Sequence, residues 1–317
     1  MRVVAVIVAI ASVSVALPYA QQESNASFLI AVLNRDGLAV PFAAFNGKRW
    51  VSPWPQYQRG EMPMTLADVD NDWWGIGAKP ERMALWRNGE KIAEASFSAL
   101  SQVKVLCSTR LGVRTDYTSR ELAPPRLRQP YPKDGVLVSG NVTMSRIDII
   151  AANAPERVRA VQLITEEFDK QEKRAIRSFD GWEHPFADDA RKKIPITIEA
   201  MYRAPSDASG WTTYFVEAVR QFPARLRDGG CGLATTGQGW LHVSASGKTH
   251  VDLTSRVTYC DRKGVGFMLP FGTVRAGGRT YWIYQYSGYD AEFYQVTRPE
   301  PDDVKVAAGF HAGSCPE

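Results

Sequence analysis

The most informative absences in this sequence are those of familiar catalytic motifs. The chain has no G-x-S-x-G, no H-E-x-x-H, no P-loop and no G-x-G-x-x-G. Each of these patterns places a nucleophile, a pair of metal ligands or a phosphate-binding loop at a fixed spacing. Their absence argues against α/β-hydrolases, zinc peptidases of the common type and nucleotide-binding enzymes, and we predict no cofactor.

Cysteine is scarce, and its spacing does not suit a metal. The four cysteines are Cys107, Cys231, Cys260 and Cys315; they form no C-x-x-C pair, and no histidine stands three to five residues from another. The usual zinc ligand sets are therefore excluded. An even number of cysteines predicts disulfides in a chain that reaches an oxidising compartment, with free buried thiols as the alternative.

The sequence also lacks an excess of one charge and, after its first residues, a long apolar run. It carries 38 Lys and Arg against 34 Asp and Glu, interspersed along the chain. A net charge of +4, spread along the chain, is too small to indicate a nucleic-acid partner. Beyond residue 20 no window approaches the roughly 18 apolar residues of a membrane-spanning helix, so we expect no membrane span.

The first recognisable feature along the sequence is a leader at residues 1–20. Met1 and Arg2 give a positive start, an apolar run of Val, Ile and Ala follows, and the small residues Ala16 (after Ser14-Val15) and Ala20 offer two cleavage points. This is the layout of a secretory signal peptide, cleaved after one of those two alanines. We therefore expect a soluble protein exported to the periplasm or the cell exterior; its oligomeric state is not determined by the sequence.

The remaining chain predicts a mainly β fold. Residues 24–120 form an N-terminal β-rich region, where Asp36-Gly37, Asn46-Gly47 and Asn88-Gly89 separate short apolar runs as hairpin turns do. Residues 121–135 are a Pro-rich connection, and residues 136–317 form a C-terminal β-rich region.

One amphipathic helix is predicted over residues 155–178 of that second region. Asn153 is the expected N-cap, Pro155 falls in the first turn, and apolar residues recur at helical spacing. The fold class is therefore antiparallel, sandwich-like or barrel-like layers with this one helix.

The hairpin at residues 240–254 has a register that its binary pattern determines. A two-residue turn would place apolar Leu241 opposite Asp252. A three-residue loop at residues 245–247 keeps the apolar residues on one face, with Gly247 at positive φ. We predict the three-residue loop.

The same register predicts the disulfides. Extended outward, it brings Cys231 within about one residue of facing Cys260, at a spacing that a disulfide tolerates. The predicted pairs are Cys231–Cys260 and Cys107–Cys315.

Two residue groups are candidate metal ligands. The hairpin register places His242 opposite His250 with Asp252 beside them, which is a workable set for a divalent cation. The alternative is an exposed polar face of a sheet. The second group is Asp68, Asp70 and Asp72, whose carboxylates stand at alternate positions as in a calcium loop. The Gly and Glu that such a loop needs later in its sequence are missing, so an acidic surface turn is the alternative.

Aromatic residues cluster in an irregular segment between strands: Trp50, Trp54, Tyr57, Trp73 and Trp74. Rings on loops above a sheet can stack on a sugar or on an apolar partner residue, and they can equally cap a core. As a ligand face they indicate a carbohydrate or protein ligand.

Asp290 and Glu292 are the candidate catalytic pair, since carboxylates two residues apart in a strand share a face at a separation that glycosidases use. The leading hypothesis is an exported, non-catalytic binding or structural protein that uses its aromatic loops. The alternative is a secreted carbohydrate-active hydrolase.

Overall fold

A computed structural model describes residues 26–56, 65–119, 133–178, 186–223, 232–259, 262–288 and 290–315. Residues 1–20, for which a leader is predicted, and Tyr57 lie outside these residues. The strands are β1 (Phe28–Asn34), β2 (Leu38–Phe45), β3 (Trp50–Val51), β4 (Met83–Arg87), β5 (Glu90–Ala95), β6 (Phe97–Val105), β7 (Ser108–Thr115), β8 (Lys133–Ser139), β9 (Met144–Ser145), β10 (Asp148–Ile149), β11 (Thr197–Pro205), β12 (Trp211–Gln221), β13 (Leu233–Ser244), β14 (Thr249–Tyr259), β15 (Gly266–Ala276), β16 (Arg279–Gly288), β17 (Ala291–Glu300) and β18 (Asp303–Ser314). The helices are α1 (Pro155–Arg177) and α2 (Asp188–Lys192), with short 3₁₀ turns at Leu66–Asp68 and Asn71–Trp74.

The described strands pair antiparallel in three sheets, which confirms the mainly β prediction. Sheet 1 has the order β5-β4-β8-β1-β2-β7-β6, with β3 added to β2. Sheet 2 has the order β10-β11-β12-β13-β14, and sheet 3 the order β18-β17-β16-β15-β9. Sheet 1 takes all its strands from before residue 140, and the other two sheets take theirs from after it.

Sheet 3 lies between the other two sheets. On one face, Ile283 and Tyr294 belong to the same apolar core as sheet 1. On the other face, Trp282 packs edge-on against Trp240 of sheet 2 at 5.0 Å between ring centroids. Successive residues of a strand point to opposite faces, so one strand can supply both cores.

Helix α1 covers the outer face of sheet 2 as the fourth layer. Ala160, Ile164 and Phe168 recur at spacings of four and pack against Val216, Leu241 and other residues of that sheet. The predicted helix is thus confirmed to within one residue of its bounds. Its predicted cap is wrong: the helix begins at Pro155, so the N-cap is Ala154 without a side-chain bond, and Asn153 stands one position too early.

Two strands, one in the middle and one at the edge of a sheet, form where the sequence signal for a strand is weak or contrary. β8 begins at Lys133, inside the predicted Pro-rich connection, and pairs with both β1 and β4. β18 pairs along β17 but is rich in Ala and Gly, which are weak strand formers.

None of the helices in the described ranges combines the length and apolar character that a bilayer crossing requires.

Candidate functional site: a cleft between two sheets

A cleft of about 440 Å³ opens at one end of sheets 2 and 3, where four connections between strands meet. These are the β11–β12, β13–β14, β15–β16 and β17–β18 turns. Its lining combines one aromatic residue with charges of both signs: Asp207, Ala208, Trp211, Lys248, Arg279, Glu300, Pro301 and Asp302. We call this the inter-sheet cleft.

Trp211 is the aromatic residue of the inter-sheet cleft. It is the first residue of β12 and is half-buried, so part of its indole remains accessible. The Nζ of Lys248, from the β13–β14 turn, lies 5.9 Å from the ring centroid. This is within range of a cation–π contact, which holds the ammonium beside the ring.

Two polar contacts fix the walls of the cleft. Thr280 donates its backbone N–H and its hydroxyl to the two carboxylate oxygens of Asp207, each at 2.6 Å. This ties the β11–β12 turn of sheet 2 to β16 of sheet 3. Arg279 pairs with Glu300 at 3.1 Å. The cleft is therefore built from anchored side chains and is not a gap between loose turns.

His242 lies beside the cleft in the covered face of sheet 2. The predicted register is confirmed: His242 faces His250, the turn closes between Ser244 and Lys248, and Gly247 has φ +85°. His242 is fully buried, however, because sheet 3 covers this face. The alternative of an exposed polar face was therefore wrong for His242, although His250 is exposed.

Burial lowers the pKa of His242 to about 4, and the neighbouring His250 acts in the same direction. The nearby Asp302 of the cleft wall opposes this shift. The imidazole Nδ1 shares a hydrogen bond with the Thr213 hydroxyl at 3.1 Å, while Nε2 has no hydrogen-bond partner among the described residues. A neutral imidazole with one unsatisfied nitrogen therefore stands behind the cleft.

Glu217 is a second buried titratable group between sheets 2 and 3. It accepts a hydrogen bond from the backbone N–H of Met268 at 2.6 Å. Burial raises the pKa of Glu217 to about 7, since the single hydrogen bond offsets only part of the lost hydration. Its charge in turn raises the pKa of Tyr202 and Tyr286 beyond the effect of their own burial.

The aromatic cluster predicted from the loops lies inside the molecule. Trp50, Trp54 and Trp74 are 8%, 2% and 1% exposed, and Trp73 is half-buried. Trp54 donates its indole N–H to the Leu111 carbonyl at 3.0 Å, which anchors the segment to sheet 1. The core-packing alternative describes the three buried tryptophans, while Tyr57 lies outside the described residues.

The predicted metal ligands do not converge. Within the described ranges no three His, Cys, Asp or Glu side chains are placed to hold an ion. Asp68 accepts hydrogen bonds from Thr65, and Asp70 accepts one from the Asp72 backbone N–H at 2.9 Å, so these carboxylates stabilise local turns. The rings of His242 and His250 are 6.1 Å apart, centroid to centroid.

Asp290 and Glu292 occupy different settings. Asp290 precedes β17, and its carbonyl accepts a hydrogen bond from the Cys315 N–H. Glu292 is fully buried and ion-paired with Lys133 at 2.9 Å. Glu292 is thus enclosed between sheets 1 and 3, away from an accessible surface.

The Cys107–Cys315 disulfide is confirmed and joins the β6–β7 turn to the end of β18. Cys231 and Cys260 lie outside the described residues, so their pairing stays a prediction. The last described pair before them, Leu233 with Tyr259, continues the register from which that prediction came.

Sequence reasoning missed the inter-sheet cleft because its lining comes from four turns far apart in the chain. Trp211 carried a usable signal, since a tryptophan at the start of a strand beside Ser-Gly is poorly placed for a core. Comparisons add nothing to this geometry: no protein-family model matches the chain, and no curated protein or solved structure is significantly similar to it.

Proposed function

We propose that this is an exported, non-catalytic binding protein that holds a carbohydrate ligand in the inter-sheet cleft. The observation that carries the proposal is the half-buried Trp211 at an opening lined by charges of both signs. In this proposal Trp211 is the aromatic ligand face, in place of the tryptophans of the N-terminal half, which are buried.

The lining suits a sugar for two physical reasons. An indole offers a rigid apolar surface on which the C–H face of a pyranose can lie, and it loses little conformational entropy on binding. Carboxylates and cations around it form charge-assisted hydrogen bonds with hydroxyl groups, which give orientation. Lys248 and Asp302 provide one group of each sign at the cleft.

Export is part of the proposal. It is supported by the leader at residues 1–20 and by the Cys107–Cys315 disulfide, since disulfides persist in oxidising compartments.

Binding of the purified protein to a glycan array, followed by calorimetric titration of the best ligand, tests the proposal. We expect Trp211→Ala to weaken that binding at least about tenfold, the loss of roughly 1.4 kcal/mol of stacking, and Trp211→Phe to retain most of the affinity. The control is Tyr259→Ala, which removes an aromatic side chain that is 44% exposed at the opposite end of sheet 2. Wild-type affinity in Trp211→Ala, or no glycan bound by the wild type, would refute the proposal.

A further inference from the structure

Lys133 and Glu292 form a buried pair between sheets 1 and 3. Lys133 begins β8 and Glu292 lies near the start of β17. The lysine Nζ is 2.9 Å from the carboxylate Oε1, and the two side chains are 5% and 1% exposed. The Tyr294 hydroxyl donates to the same oxygen at 2.7 Å.

Aromatic rings pack beside this pair. Tyr294 is fully buried, and its ring meets Phe42 edge-on at 5.6 Å and stacks with Phe310 at 6.3 Å. The Lys133 Nζ lies 5.8 Å from the Tyr294 ring centroid. Such a site excludes most of the water that would solvate an ammonium and a carboxylate.

The polar groups of the site are only partly satisfied. Within the described part of the chain, Glu292 Oε2 and both polar atoms of the Gln285 amide have no hydrogen-bond partner. Gln285 pairs with Tyr294 across β16 and β17, so its side chain shares a face with Glu292. A buried ion pair repays its lost hydration only when its remaining lone pairs and protons are also bonded.

We propose that Lys133 and Glu292 condense into an intramolecular amide cross-link between sheets 1 and 3. The ammonium first loses a proton to Oε2, and the neutral Nζ attacks the carboxyl carbon of Glu292. The carbon–Oε2 bond then breaks, and Oε2 leaves as water with the two protons that Nζ has lost. Oε1 remains as the amide oxygen, so atoms and charge balance without an oxidant or a co-reactant.

Position and burial both favour this step. An Nζ held 2.9 Å from Oε1 lies within about 4 Å of the carboxyl carbon, close to the near-attack separation at which effective molarities become very large. Condensation also removes two charges from an apolar site. Tyr294 supplies the donor for the oxygen that becomes negative in the tetrahedral intermediate.

Tyr294 remains a donor throughout. Burial raises its pKa well above the usual value, and the Glu292 charge acts in the same direction. The phenol therefore keeps its proton at neutral pH.

Tryptic mapping of the reduced, denatured wild-type protein tests the cross-link. We expect no cleavage after Lys133 and a branched peptide that contains Lys133 and Glu292 and lacks the mass of one water. Lys133→Met abolishes the branched peptide. Linear peptides with unmodified Lys133 and Glu292 in the wild type would overturn the proposal, whether or not the variant folds.

The chain offers an internal control. Lys170 and Glu167 are also 2.9 Å apart, but their side chains are 55% and 21% exposed on helix α1. We expect normal tryptic cleavage after Lys170, because water solvates that pair. A branched peptide there as well would show that proximity alone drives the reaction and would overturn the role given to burial.

A second variant tests the role of Tyr294. Tyr294→Phe keeps the buried ring and removes the hydroxyl. In a time course after refolding, the branched peptide should form about 100-fold more slowly, as when one oxyanion donor is lost. Formation at the wild-type rate would overturn the role given to this hydroxyl.

Discussion

At the scale of single residues, two buried titratable groups make stability depend on pH in opposite directions. Glu217 has its pKa raised from 4.5 to about 7, so the folded state holds its proton more tightly than the unfolded state. Its contribution to stability is fully present below about pH 4.5 and is lost as the pH rises through about 7.

His242 acts in the opposite sense. Its pKa falls from 6.5 to about 4, so the unfolded state binds the proton more tightly. Its contribution is present above about pH 6.5 and is lost as the pH falls through about 4. The two effects overlap between these limits and partly cancel in the wild-type protein.

Substitution separates the two groups. Between about pH 5 and pH 8, the unfolding free energy of the wild type should fall by roughly 2–3 kcal/mol more than that of Glu217→Gln. Urea unfolding across this range measures the difference, and Glu81→Gln at an exposed position is the control. Parallel pH profiles for the wild type and Glu217→Gln would contradict the burial effect.

At the scale of elements, the docking of helix α1 depends on a glycine in sheet 2. A Cβ at Gly237 of β13 would lie 2.6 Å from two ring atoms of Phe168. Phe168 is fully buried at the centre of the helix stripe, and the Arg220 guanidinium lies 5.2 Å above its ring. The aromatic ring therefore occupies the space that the missing side chain leaves.

Gly237→Ala should lower the unfolding free energy by about 1–3 kcal/mol through overpacking. In a Phe168→Leu background the added methyl should cost less, so a double-mutant cycle in urea should give a clear coupling energy. Gly309→Ala is the control, because a Cβ there meets only Val306, at 3.7 Å. Additive effects of the two core substitutions would disprove the contact.

Local sequence patterns predicted an element correctly where a single signal, such as alternation or helical spacing, dominated the segment. The 240–254 hairpin follows from alternation and one glycine, and helix α1 from its apolar spacing. β18 carries no comparable signal: three alanines and two glycines interrupt its pattern, and pairing with β17 makes it a strand. At such positions the pairing with a neighbouring strand outweighs the intrinsic strand propensity of the residues.

At the scale of the whole molecule, one cross-link ties the end of β18 to the N-terminal sheet. Cys107 and Cys315 are 208 residues apart in sequence. In the chain-entropy model a loop of that length is worth about 5 kcal/mol. Ser108 and Arg110 also bond the carbonyls of Ser314 and Ala312, so the same chain end is held by hydrogen bonds too.

The double variant Cys107→Ser/Cys315→Ser should therefore lose about 3–5 kcal/mol of unfolding free energy. Urea unfolding without reductant measures this, with Ser98→Ala, an exposed serine in β6, as the control. An unchanged unfolding midpoint would show that the hydrogen bonds alone hold the chain end.

The sequence by itself determined the antiparallel β class, helix α1, the register of one hairpin and, by elimination, the Cys107–Cys315 pair. These depend on alternation, helical spacing and turn residues, which act over a few positions. Only the tertiary structure decided which polar groups are buried and which are open. His242, Glu217 and Glu292 look like surface residues in a strand pattern, and they are enclosed because sheet 3 is covered on both faces. Burial depends on how layers stack, and no local pattern in the chain encodes that stacking.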